Sequence, residues 1–149
     1  MAIAQAICNA FKKQLLEGDA NFTQTTGDKF KLALYLDTAN LSAATTSFTT
    51  TGQSTDTGSG DYASGGKNLA VGSQQTSVAS GVAIVDFADL SFTGVTLTAR
   101  GALIYNTSSA VTNAAVAVLD FGGDKTATAG TFTIQFPAFT TSAAILRIS

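Results

Sequence analysis

The chain has no histidine and no tryptophan, and only one cysteine, one methionine and one proline. Each absence excludes a class of chemistry. Without an imidazole to carry a proton between nucleophile and leaving group, Ser-His-Asp and Cys-His arrangements cannot be built. Zinc sites that depend on histidine or on paired cysteines fall with them, and a lone Cys8 cannot close a disulfide within the chain. Charge is scarce too: Asp, Glu, Lys and Arg make up 12% of the residues, about half the usual share. Eight basic residues against ten acidic ones, a net charge of −2, provide no cationic footprint for displacing counterions from phosphates, so no nucleic-acid partner is expected. No apolar run reaches the roughly 18 residues of a membrane helix, so no membrane partner is expected. In the opening "MAIAQAICNAFKKQLLEG" the basic pair Lys12 and Lys13 follows the apolar stretch. A secretory signal has the reverse order, so synthesis and release into the cytoplasm are expected.

What the chain does have is hydroxyls: 23 Thr and 13 Ser in 149 residues. Threonine suits strands, because its branched Cβ packs on a pleated surface while its hydroxyl faces water. The length fits a single domain, residues 1–149, with one core.

Periodicity supplies the order of elements. Ile3, Ile7, Phe11 and Leu15 recur every four residues, which predicts an amphipathic helical N-terminal arm over residues 2–17, ended by Gly18. Thereafter the period is two. Strands are expected at 30–36, 82–87, 90–93, 95–105, 114–121, 131–136 and 143–148, separated by Gly, Asp, Asn and Ser. The expected fold is therefore all-β, an antiparallel β-sandwich or jelly roll with one short N-terminal α-helix. Its core should contain Leu32, Leu34, Leu36, Leu97, Leu103, Val116, Val118, Phe132, Ile134 and Phe136. Residues 41–66 are nearly devoid of large apolar groups, and predict a long polar loop that is either exposed or ordered by contact with another molecule.

Local patterns that mimic active sites fail on inspection. "GSGDYASGGKN" places Asp61 where a phosphate-binding loop needs its first glycine, and Asn68 where it needs a hydroxyl. "DFGGDK" (120–125) reads as a turn after a strand. Asp86 and Asp89 are too few and too poorly spaced for glycoside hydrolysis, Asp56 and Asp61 lack a calcium-loop pattern, and Cys8 on the arm reads as a small buried hydrophobe. Arg100 lies in "TARGALIYN" on the same strand face as Thr96 and Thr98. It is expected to be a structural group paired with Asp86 or Asp120, unless a bulge at Gly101 turns it inward. No catalytic, cofactor-binding or metal-binding residue is assigned, and the chain is not expected to be an enzyme.

Three strings carry a resemblance: the opening "MAIAQAICNAFKKQLLEG", the central "VDFADLSFTGVTLTARGALIYN" and "AVAVLDFGGDKTATAGTFTIQFP". Together they resemble a family of small virion structural proteins of tailed bacteriophages, over most of the chain apart from residues 41–66. The resemblance implies a subunit present in many copies in the virion. The position it favours is that of a head decoration or cement protein, a homo-oligomer, as a trimer, bridging the major capsid protein. It leaves open a tail component, such as a tail-tube, adaptor or fibre-attachment protein. A carbohydrate-binding receptor-recognition module is a third possibility, for which Tyr62 would be the stacking ring.

Overall fold

The alternation of "FKLALY" produces strand β2 (Phe30–Tyr35), in which five of the six side chains are buried. In the computed structural model the backbone is described over residues 2–149, and side chains over the same span apart from 71–75. β2 pairs antiparallel with β3 (Lys67–Leu69) on one side and β6 (Leu90–Asn106) on the other. β6 and β7 (Ala114–Ile134) form a long antiparallel ladder from Leu90↔Ile134 to Asn106↔Ala114, and β1 (Ala6–Ile7) adds outside β7. This five-stranded sheet has the order β1-β7-β6-β2-β3.

A second, three-stranded sheet has the order β4-β5-β8, from β4 (Val71–Ala79), β5 (Val82–Phe87) and β8 (Leu146–Ile148). β4 and β5 are joined by a two-residue turn in which Ser80 (φ 51°) and Gly81 (φ 75°) are both left-handed, the geometry that matches the twist of a hairpin. The architecture is all-β and sandwich-like, with two antiparallel sheets and one short helix, α1 (Asn9–Glu17).

Phenylalanines join the parts. Phe22 stacks on Phe30 at 4.7 Å, and Phe30 meets Phe87 edge-on at 5.7 Å. Phe11 of α1 meets Phe22 at 5.8 Å and 82°. Helix, connecting loop and both sheets thus share one apolar cluster, and such ring pairs add stability beyond the area they bury. On the outer face of the ladder, threonine and serine pair across strands: Ser91 with Thr133 at 2.9 Å and Thr98 with Thr126 at 2.8 Å. Of the ten residues expected in the core, eight are buried. Leu36 and Phe136 are half-buried, because each lies just past the end of its strand.

Several expectations are corrected. The helix begins at Asn9, not residue 2. Residues 2–7 are extended: Ile3 bridges Leu41, Ala6 and Ile7 pair with Val118 and Ala117, and the Cys8 N–H donates to Val116 O at 2.9 Å. Partners on neighbouring segments replace the i−4 carbonyls. The end is as expected, with Gly18 left-handed at φ 71°. α1 packs in cis, on β7.

Residues 41–66 form no helix or strand, as expected of a long polar loop, and contacts within the chain order them. They lie across the five-stranded sheet, anchored by Ser54 N to Leu34 O (2.9 Å), Ser54 Oγ to Thr98 O (2.7 Å), Thr57 N to Thr96 O (2.9 Å) and Asp61 N to Thr93 O (3.1 Å). The "DFGGDK" segment is a bulge within β7 and not a chain reversal. Gly101 faces Asp120 and Ala99 faces Lys125, so five residues of β7 pass two of β6, and Gly122 takes φ 74°. A smaller slip between Phe92 and Val95, with Gly94 at φ 65°, joins two expected strands into β6. β3 and β4 were not expected from the sequence.

Candidate functional site

α1 and the three-stranded sheet diverge, leaving an apolar groove of about 720 Å³ between them. Residues facing one another across a β ladder share a side, so Val78 and Ala83 lie with Ile148, and Val85 with Leu146. These five form an apolar sheet face. Opposite are Phe11, Leu15 and Leu16 of α1, with Phe22 beside them.

The groove is closed at its base and open at its mouth. Phe11, Phe22 and Leu146 are buried, whereas Leu16 is 91% exposed, Val78 73% and Ile148 56%. Among the described residues four large hydrophobics are exposed, and three of them stand around this one groove; Val111 is the fourth. Its charged side chains are Lys12 and Arg147. Arg147 Nη1 donates to Thr141 O (3.4 Å) and Ser142 O (2.7 Å), which fixes the guanidinium, while Lys12 Nζ donates to Asn9 Oδ1 at 3.4 Å.

The residues singled out from the sequence lie elsewhere and do not converge. Arg100 pairs with Asp120, Nε to Oδ1 3.3 Å, and Asp120 also accepts from Gly122 N at 2.9 Å. The backbone N–H of Gly122 and then the arginine hold the Asp120 carboxyl below its ordinary range. Asp86 is not the partner: one of its oxygens is buried without a hydrogen bond, and burial pushes its pKa up. Asp89 ties two distant segments together, accepting from Phe136 N, 47 residues on, at 2.8 Å.

Asp56 and Asp61 are structural clamps. Asp56 accepts from the amides of Thr96 (2.7 Å), Gly58 (2.9 Å) and Gly60 (2.9 Å). Asp61 accepts from Thr93 N at 2.7 Å and from Lys67. Among the described residues no three His, Cys, Asp or Glu side chains are grouped to hold a metal. Tyr62 offers no face to a sugar. It is 6% exposed, packs against Phe92, and its hydroxyl accepts from Leu34 N (2.9 Å) and donates to Leu34 O (3.2 Å). Cys8 is fully buried, and burial pushes its thiol up to about 11, so it is protonated near neutrality.

Sequence patterning missed the groove. One signal was available: Leu16 follows Leu15 and falls off the Ile7, Phe11, Leu15 stripe, so both cannot be covered by one packing surface. No family model, curated protein or solved structure matches the chain.

Proposed function

We propose that the chain is a structural subunit of a tailed-bacteriophage virion: a head decoration or cement protein, in homo-oligomeric form on the particle, that bridges copies of the major capsid protein and catalyses nothing. The observation that carries this is the gathering of Leu16, Val78 and Ile148 around one open apolar groove. Exposed apolar surface of this kind marks a place where another molecule sits. The low charge content supports it, because the centres of protein interfaces exclude charge, and so does the resemblance carried by the three strings. The mechanism is additive: each copy contributes a modest contact, and symmetric repetition makes the sum large.

Counting copies in purified particles by mass spectrometry, with the coat protein as internal standard, tests it. Hundreds of copies support the head position. A few dozen or fewer favour the tail-tube, adaptor or fibre-attachment alternative. Absence from particles overturns the proposal.

A further inference from the structure

We infer that residues 55–61 are an intramolecular cap on one edge of β6, and that lifting the cap lets this edge pair with the same edge of a second copy. The inference stands apart from the virion role, and its test needs no particle.

β6 is paired with β7 along one edge, whereas on the other edge β2 reaches only from Gly101 to Asn106. Before Gly101 no strand among the described residues covers that second edge. The polar segment "TDTGSGD", 55–61, meets the backbone there instead. The Thr93 N–H donates to Asp61 Oδ1 and the Thr96 N–H to Asp56 Oδ1, both at 2.7 Å. The carbonyls of the same two residues accept from Asp61 N at 3.1 Å and from Thr57 N at 2.9 Å. Two carboxylates and two amides thus stand where the peptide groups of a neighbouring strand would stand.

Polar contacts hold this cap. Both its ends are clipped to one residue of β2: Ser54 N donates to Leu34 O at 2.9 Å, and the Tyr62 hydroxyl bonds both Leu34 N and Leu34 O. Between the clips there is no large apolar side chain, so lifting residues 55–61 costs hydrogen bonds and little buried apolar area. Asp56 also takes the amides of Gly58 and Gly60, so one carboxylate both shapes the cap and fastens it.

What lies beneath suits a second copy. The β6 run "LSFTGVTLTA", 90–99, is rich in β-branched and aromatic residues and contains neither charge nor proline, the devices that keep exposed edges apart. The nearest charges, Asp61 and Lys67, are paired with each other. Antiparallel pairing of two such edges about a two-fold axis sets no like charges opposite one another. A partner selected by charge would find nothing on this run to read.

Sedimentation velocity of the full chain over a concentration series tests the inference, beside amide exchange read at dilution. The variant Asp56→Ala/Gly60→Val removes the Thr96 acceptor and adds a side chain whose Cβ would lie 2.6 Å from Gly94 C. Thr96 amide exchange should quicken by about tenfold or more, and a larger species absent from wild type should appear with concentration. Adding Thr98→Lys, which brings like charges onto the two approaching strands, should abolish that species. If the double variant fails to fold, as judged by circular dichroism, Asp56→Ala alone carries the same test.

Unchanged Thr96 exchange in a folded variant overturns the cap. Fast exchange with wild-type sedimentation overturns the self-pairing, as does association that Thr98→Lys leaves intact. Loss of fold in both variants overturns the inference too, because the segment would then be part of the fold and not a cover.

Discussion

The Arg100 guanidinium lies 3.3 Å, Nε to Oδ1, from Asp120, at the place where β6 and β7 slip register between Ala99 and Gly101. The pair pins the root of a bulge whose tip, Gly122, is left-handed. Here the arginine serves the scaffold.

Both members of the pair are partly exposed, at 36% and 28% of their side-chain surface, so the contact is worth little in water. Arg100→Ala should fold and lower the melting temperature by at most a few degrees. Amide hydrogen exchange should speed up locally at residues 120–124. Unchanged stability together with loss of particle binding would instead make Arg100 a contact residue.

Acid should loosen the 41–66 segment before the sheets. Amides of Thr96, Gly58 and Gly60 hold Asp56 below its ordinary value of 3.8, and Lys67 and Thr93 do the same for Asp61. A carboxylate with a depressed pKa stabilises fully above the unfolded-state value and loses that contribution as pH falls through the folded one. Burial-raised Asp86 has the opposite sign and gains as pH falls through its raised value. Thermal stability should therefore hold, or rise slightly, from neutrality to about pH 4, then decline. Exchange at Gly58 and Gly60 should accelerate first; simultaneous exposure of the β6 and β7 amides would contradict this order.

Phe30 is 1% exposed and touches both Phe22 and Phe87, whereas Phe136 is half-buried past the end of β7. Phe30→Ala should cost about 3–5 kcal/mol in urea denaturation. Phe136→Ala should cost less than half as much.

Two glycines with similar backbone angles should respond differently. A Cβ on Gly66 (φ 75°) would lie 1.8 Å from Leu32 O, while one on Gly81 (φ 75°) meets nothing within 4 Å. Gly66→Ala should cost about 3 kcal/mol or more, from strain plus displaced backbone. Gly81→Ala should cost about 1–2 kcal/mol, the backbone term alone. Chemical denaturation of the two variants measures the difference.

Strands were legible where large apolar residues recur at every second position or crowd a short run bounded by turn residues, as in Phe30–Tyr35 and Val82–Phe87. β4, "VGSQQTSVA", was not, since its sequence contains almost no apolar period. The N-terminal overshoot has a different cause: Ile3 and Ile7 do bury apolar surface at helical spacing, but pairing with Leu41 and Ala117 outweighs a short helix that is marginal alone. The 41–66 segment could be recognised as irregular but not as docked, because its anchors are hydrogen bonds between the side chains of Ser54, Asp56 and Tyr62 and distant backbone, which hydropathy cannot register. The groove was invisible because it arises from the divergence of two elements, not from a motif.

The anchors of that segment reach far along the chain: Asp56 takes the amide of Thr96, 40 residues on, and Ser54 the carbonyl of Thr98, 44 residues on. During synthesis the anchors to Thr93, Thr96 and Thr98 cannot form until β6 has left the ribosome, while those to Leu34 can. The first third of the polypeptide must wait, with β2 lacking its β3 and β6 partners, and a slow, late-closing folding reaction follows from this wiring.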